Sequence, residues 1–295
     1  MTVYTTYDQV GIEEDVSNVI TTIDPTDTPM FTMMKAEKVH NRVFQWQEDT
    51  LASAADNAQI EGANASYATL TPTTMRENST QILTKAFQVS ETSDAVSTYG
   101  RAKETAYQLA KKLAEIKLDL ERAFIGVDNA KVTGTTSAAR EMASVSQMIS
   151  TTVDAGTNAT DALTETKLLE LGQTCYQNGS KPHVLMIKPA DSIIVSGFVS
   201  ANTGRNRDIS QERRLVNVID LYVSPYGEYK VIMNRHQLTT HAFLIDPAMF
   251  KTCVLRPFTR TLLAKTGDAD NHFIRGEYSV MHKSFADSGM ITGLS

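Results

Sequence analysis

A chain of 295 residues has room for one large domain or two ordinary ones with a sizeable core, so no disulfide scaffold is needed to hold it. Lys and Arg total 28 against 34 for Asp and Glu, a net charge of -6, which argues against a protein whose main task is to grip nucleic acid, because that affinity comes from clustered cations neutralising phosphates. Loose proximity to DNA is not excluded. The two cysteines, Cys175 and Cys253, lack ligand or redox spacing and read as buried reduced thiols. The start, MTVYTTYDQVGIEEDVS, has neither the basic nor the apolar region of a signal peptide. The apolar runs around Val184 to Ile187 and Ile193 to Val199 fall far short of the roughly 20 residues that span a bilayer. Synthesis in the cytoplasm and no membrane partner are therefore expected, and the Asn-x-Ser/Thr matches at Asn64, Asn78, Asn158 and Asn178 read as chance.

The first 35 residues read as an extended arm with one short helix. Val16, Val19, Ile20 and Ile23 recur at helical spacing, and the run Asp24 to Pro29 ends it, since each proline pushes its predecessor out of the α region. Two strand-like segments follow. KVHNRVFQWQEDT (38–50) carries Val43, Phe44 and Trp46, the β-branched and aromatic content of a strand. STQILTKAFQV (79–89) alternates Leu83, Phe87 and Val89 with Ile82 and Ala86. Between them lie about thirty residues rich in Ala, Asn, Thr and Ser, too long a structureless insert for a compact domain unless it is an arm whose partner lies elsewhere. Another copy of the same chain is the natural partner. That points to assembly rather than catalysis.

From Asp94 to Ile125 the pattern is helical, with Ser90, Thr92 and Asp94 as candidate caps and Gly126 as the stop. At about 1.5 Å per residue such a helix spans roughly 48 Å. Tyr99, Ala106, Leu113 and Leu120 fall seven apart, with Ala102, Leu109, Ile116 and Ala123 at the other heptad position, so a coiled coil and a long helix lying on a sheet both fit. Residues 127 to 160, dominated by Ser, Thr, Ala, Gly and Asn, read as a surface loop with one ordered strand or turn. A compact α/β unit follows. Thr164 caps a helix through Leu168, Leu171 and Cys175 that stops at Asn178-Gly179. A buried strand HVLMIK, a helix from Ala190 to about Val199, and a hairpin around Ser224-Pro225-Tyr226-Gly227 complete it. The end is β-rich, with FKTCVLRPFTRTLLAK and NHFIRGEYSVMHK flanking a turn at Thr266-Gly267-Asp268. The class is α+β.

Catalytic and metal chemistry find little support. His40, His183, His236, His241, His272 and His282 make no ligand pattern; His236 and His241 are not the i, i+4 helical pair of a zinc site. Asp268 and Asp270 suit a polar turn, because the twelfth position from Asp268 is Ser279 where a calcium loop needs Glu. No Gly-rich phosphate loop or Gly-x-Ser-x-Gly elbow occurs. No enzyme activity and no cofactor are expected. Arg205, Arg207, Arg213 and Arg214 form the notable basic cluster, either a solvated loop or a partner for carboxylates of a neighbouring subunit, which the planar guanidinium meets bidentately. Asp56, Glu61 and Glu77 on the long insert are the candidate acids. Trp46, the sole tryptophan, reads as a packing anchor at the base of the insert or as part of its contact surface.

Taken in order, DVSNVITTIDPTDTP, QWQEDTLASAADNAQIEGA, LAEIKLDLERAFIG, YVSPYGEYKVIMNR, FLIDPAMFKTCVLRPF and LLAKTGDADNHFIRGEYSVMHKSFADSGMITGL make the chain resemble the major capsid proteins of tailed bacteriophages with the Hong Kong 97-type fold. The resemblance covers most of the chain, though Ala143-Ser144 stands where a glycine is expected. It implies an N-terminal arm (1–37), an E-loop hairpin (38–90), a peripheral domain with a spine helix (91–159), an α/β axial domain (160–235) and return strands with a closing C-terminal strand (236–295). The implied protein is a shell subunit assembled in the host cytoplasm and found in the virion. Its partners would be itself, in hexamers and pentamers, with scaffold, portal and decoration proteins. The shell would enclose double-stranded DNA without reading its sequence. An encapsulin-like cargo shell and a coiled-coil fibre component are the alternatives.

Overall fold

The computed structural model describes residues 25–62, 64–65, 67–98, 102–156, 161–198, 221–265 and 267–295. The predicted helix around Val16 to Ile23 lies outside them. The described chain enters through a short helix, α1 (Pro29–Met33), whose proline sits at a first-turn position where no N–H is needed. Strand β1 (Lys35–Lys38) then lies parallel to β10 (Phe250–Leu262), which pairs antiparallel with β11 (Ala269–His282), which in turn pairs with β4 (Gln81–Ser90). The order in this four-stranded sheet is β1-β10-β11-β4. A separate two-stranded ribbon joins β2 (Val43–Glu48) to β3 (Thr74–Ser79).

This corrects the reading of the insert. Its return strand is TMRENS, and QILTKAFQV belongs to the four-stranded sheet. The pattern concealed the change because β3 buries polar residues. Asn78, Ser79 and Thr80 are all fully buried. Asn78 Nδ2 donates to the Val280 carbonyl at 2.7 Å, Asn78 Oδ1 accepts from the Ala143 N–H at 2.8 Å, and the Thr80 hydroxyl donates to Glu277 at 2.8 Å. Buried polar groups are tolerated when bonded in this way, but they carry no hydrophobic signature.

The long helix is shorter than expected. A short helix α2 (Glu91–Ala95) is followed by α3 (Glu104–Ile125), so Ala102 lies before the helix and Tyr99 lies outside the described residues. The Asp94 carboxylate accepts from the Thr105 N–H at 3.0 Å and the Thr105 hydroxyl at 2.7 Å, so it caps the start of α3 instead of beginning it. Gly126 does end α3, with φ −91 and therefore not for a left-handed backbone. A Cβ there would collide with the His236 carbonyl oxygen. The apolar face of α3 packs in its own chain. Ile116, Leu120 and Phe124 are fully buried beside Leu83, Ile274 and Val280, with Leu109 and Leu113 at the margin, and Lys85 of β4 pairs with Asp119 at 2.7 Å. Of the two readings the sheet-backed helix holds, and no seam of α3 is left for a coiled coil.

Residues 142–149 are core rather than surface. Met142, Val145, Met148 and Ile149 are buried with α3, around a single 3-10 turn (Ser146–Met148). The small polar residues between them are bonded: Ser146 Oγ donates to Asp128 at 2.6 Å and lies 2.9 Å from Ser144 Oγ. Strand β5 (Thr151–Asp154) then opens the six-stranded sheet. Helix α4 (Glu165–Gln177), capped by Thr164 and stopped before Gly179 at φ +85, precedes β6 (Val184–Ile187) and α5 (Asp191–Phe198). After them come β7 (Leu221–Ser224), β8 (Gly227–Met233), β9 (Ala242–Ile245) and β12 (Gly289–Thr292), in the order β5-β12-β9-β6-β8-β7.

Both faces of this sheet are covered, which is why β6 and β9 read as continuous apolar runs. Val184, Met186, Phe243 and Ile245 enter the core shared with α3. Leu185, Ile187, Ala242 and Leu244 face the other way, against Leu168, Leu171 and Cys175 of α4 and Val195 of α5. That alternation is the pleat of the strands. Cys175 and Cys253 are free and buried. Among the described residues, no helix is long and apolar enough to cross a membrane, and no group of His, Cys, Asp and Glu could hold a metal ion.

Candidate intersubunit site

The β2–β3 ribbon is two-sided. Phe44, Trp46, Glu48, Arg76 and Asn78 share the face turned to the body, while Gln45 and Glu77 share the other. Trp46 stacks on Phe44 at 5.8 Å between ring centroids and leans on Phe285 at 6.3 Å. Both rings join a small cluster with Val39, Cys253 and Met281. The Arg76 guanidinium lies 4.4 Å above the Phe285 ring, a favourable place for a cation. Burial works to raise the Glu48 pKa, yet Arg76, the Phe285 N–H and the Ser284 hydroxyl outweigh it and hold the carboxyl below its ordinary 4.5.

Beneath the ribbon, one buried carboxylate meets two guanidinium groups. Glu277 pairs with Arg140 and with Arg256 Nε at 2.9 Å, and accepts from the Thr80 hydroxyl. Arg140 Nε also donates to the Thr80 carbonyl at 2.7 Å. These charges are where β3 passes into β4, so they fix the ribbon to the four-stranded sheet.

Beyond Glu48 the character changes. From Asp49 to Thr73 the described residues form no strand or helix, and none is bonded to anything outside the ribbon and its loop. Leu51 is 99% exposed, Ile60 85%, Tyr67 95% and Leu70 91%. Every charge of the segment is acidic: Asp49, Asp56 and Glu61. Single exposed apolar residues are ordinary, whereas these four lie along one segment with no burial in their own chain.

The amino-terminal segment is held by another buried acid. Glu121 of α3 accepts from the Met30 N–H at 2.9 Å, the Phe31 N–H at 2.8 Å and Asn234 Nδ2 at 2.7 Å. Burial raises its pKa, against the pull of those three donors and of His236. The bonds supply acceptors for first-turn N–H groups of α1 that the helix itself leaves unmet.

Of the residues singled out from sequence, Trp46 is half-buried at the ribbon's base. Asp56 and Glu61 are exposed in the segment beyond Glu48 and carry no ion pair among the described residues. Glu77 is engaged within its own chain by Lys131 and by Gln45 Nε2 at 2.9 Å, and these bonds lower its pKa. Arg205, Arg207, Arg213 and Arg214 lie outside the described residues. Sequence reasoning missed Glu48, Arg76, Asn78, Phe285 and the Glu277 cluster. A cross-strand Glu48–Arg76 pair was the only available signal, and it is visible only once β3 is placed correctly.

The model of the SU10 major capsid protein family matches residues 1–295. The major capsid protein of Escherichia phage Phieco32 is 29% identical over 339 residues, covering 98% of this chain and 96% of that protein. Among solved structures, the capsid asymmetric unit of cyanophage A-1(L) superposes with a TM-score of 0.70 at 10% identity, covering 98% of each chain. The SrpI encapsulin of Synechococcus elongatus PCC 7942 superposes at 0.57 and 10% identity, covering 95% of this chain and 93% of that one. Phage capsids and an encapsulin thus share this fold, the Hong Kong 97-type, and fold alone does not separate them. The family match does, over the whole length: the chain belongs to the SU10 major capsid protein family and is a subunit of the icosahedral shell of a phage.

Proposed function

We propose that copies of this chain associate as pentamers and hexamers, with the segment beyond Glu48 acting as an E-loop laid on a neighbouring copy and the N-terminal residues 1–37 as a second arm. In this reading α3 is the spine helix of a peripheral domain (91–159), residues 160–235 are the axial domain at the capsomer centre, and 236–295 return to the peripheral domain. The observation that carries it is the near-complete exposure of Leu51, Ile60, Tyr67 and Leu70 on a segment whose described residues form no strand or helix. Burying such side chains against a neighbour stabilises by about 1.5–3 kcal/mol each before ordering costs. Repeated over a lattice, modest contacts suffice.

Asp56 and Glu61 are the acids available for pairing across the contact, and Arg205, Arg207, Arg213 and Arg214 are their proposed partners. The head encloses double-stranded DNA loosely, since a charge of -6 per subunit keeps a concave wall from gripping phosphates. Scaffold, portal and decoration proteins of the phage complete the partners, and assembly takes place in the host cytoplasm. Catalysis has no part in it. Deleting Ala52 to Thr73 tests the assignment: folded, soluble subunits that fail to close shells are expected, and normal shells from the deletion would refute it.

A further inference from the structure

At the root of the arm a single carboxylate gathers bonds from two other segments. Glu48 Oε2 accepts from Arg76 Nε at 2.7 Å across the ribbon. Glu48 Oε1 accepts from the Ser284 hydroxyl at 3.0 Å and the Phe285 N–H at 2.9 Å, in the turn between β11 and β12. That turn is itself fixed to the six-stranded sheet, because both the N–H and the hydroxyl of Ser150 donate to the Phe285 carbonyl at 2.9 Å. Rings follow the same route, from Trp46 to Phe285 and from Phe285 to His282 at 6.0 Å. Directly beyond, a cleft of about 340 Å³ separates the departing chain from the body, with Asp49, Thr50, Thr71 and Pro72 on one side and Ser150 and Ala286 on the other. The root is bolted and the arm beyond it is not.

We propose that Glu48 is the positioning residue of the arm: it locks the root strands to the 284–286 turn, so that reorientation is confined to residues 49–73 moving over the cleft. The proposal rests on reading that segment as the assembly arm, and adds where it pivots and what holds the pivot. An ionised carboxylate suits the task because it only accepts, and all three of its partners donate. A glutamine would turn its own N–H₂ toward one of them. The charged and titratable groups facing Glu48 are Arg76 from β3, His282 from β11 and its neighbour Asp49. Acid acts here on Glu48 and on His282. Glu48 has its carboxyl held below 4.5 in the folded chain, so the clamp is fully present above 4.5 and is lost as pH falls through that lower value.

Trp46, the only tryptophan, sits in the root and reports on it directly. The experiment is acrylamide quenching of Trp46 together with hydrogen exchange, on full-length unassembled subunits of the wild type, Glu48→Ala, Glu48→Gln and Ser284→Ala. In the wild type Trp46 is shielded, amides 44–48 are protected, and amides of 50–62 exchange fast. Glu48→Ala should speed the amides of 44–48 by about tenfold or more, the size expected when charge-assisted bonds are lost, and expose Trp46 to quencher while α3 and β9 exchange as before. Ser284→Ala, missing one bond, should give a smaller change in the same amides, and Glu48→Gln an intermediate one. These two decide the matter if Glu48→Ala does not fold. Trp46 as shielded in the variants as in the wild type, or amides of α3 and β9 speeding equally with those of the root, would overturn the proposal. Shell closure is scored separately by sedimentation. A failed shell assignment leaves the quenching result standing, and a failed clamp leaves the phenotype of the arm deletion standing.

Discussion

His282 shows how much of the stability of this chain is tied to groups that burial keeps in one protonation state. It is fully buried, lies flat on Phe250 at 4.0 Å between ring centroids and donates from Nδ1 to the Met148 carbonyl at 2.9 Å. Burial lowers its pKa from 6.5 to about 4. The unfolded chain therefore binds a proton at higher pH than the folded one. The contribution of the neutral ring is complete above pH 6.5 and is lost as pH falls from 6.5 to about 4, on the order of 3 kcal/mol in all. Urea midpoints measured on unassembled subunits should fall across that window, and His282→Leu should flatten the slope by this share; an unchanged slope would show that the ring does not carry it. Cys175 and Cys253 make a second test. Burial pushes both thiols up to about 12, so thiolate is scarce at pH 8 and access is closed. Neither should react with a maleimide in the native subunit, and both should react in denaturant.

At the scale of elements, α1 is held by more than its apolar contacts. Glu121→Ala leaves the buried N–H of Met30 and the half-buried N–H of Phe31 without their acceptor and should cost about 2–4 kcal/mol of unfolding free energy, read from chemical denaturation, with no loss of the six-stranded sheet. A cost within error of zero would mean that α1 is replaceable. Elements that announce themselves chemically were legible in the sequence. Thr164 and Gly179 bracket α4, the run VLMI fits a strand buried on both faces, and long β-branched stretches flank the turn near Gly267. The start of α3 was hidden because Tyr99 and Ala102 extend the heptad spacing upstream and the cap comes from Asp94 in a preceding helix. Strand β3 and residues 142–149 were hidden for a different reason. Their buried Asn78, Ser79, Ser144 and Ser146 look like loop residues until their bonding partners are known. Trp46 and the arm acids were legible by type and position, whereas the clamp at Glu48 depends on a turn more than two hundred residues away.

For the whole molecule, the contrast is between a body with two packed cores on the faces of one sheet and a segment from Asp49 to Thr73 that buries none of its large apolar residues. That segment contains no Lys or Arg, so trypsin should leave it whole, whereas chymotrypsin should cut free subunits at Tyr67, Leu70 and Leu51. In closed shells the same bonds should be protected, because the side chains that the protease needs are covered by a neighbour. Equal cleavage of both forms would argue that the arm stays in solvent. The most direct measurement is electron microscopy with light scattering on the full-length protein produced alone and eluted from a sizing column. Closed particles tens of nanometres across, or rings of five and six subunits, are the predicted result. A monomer or small rod that no concentration or salt condition converts to rings or shells would contradict the account of this chain as a self-assembling shell subunit.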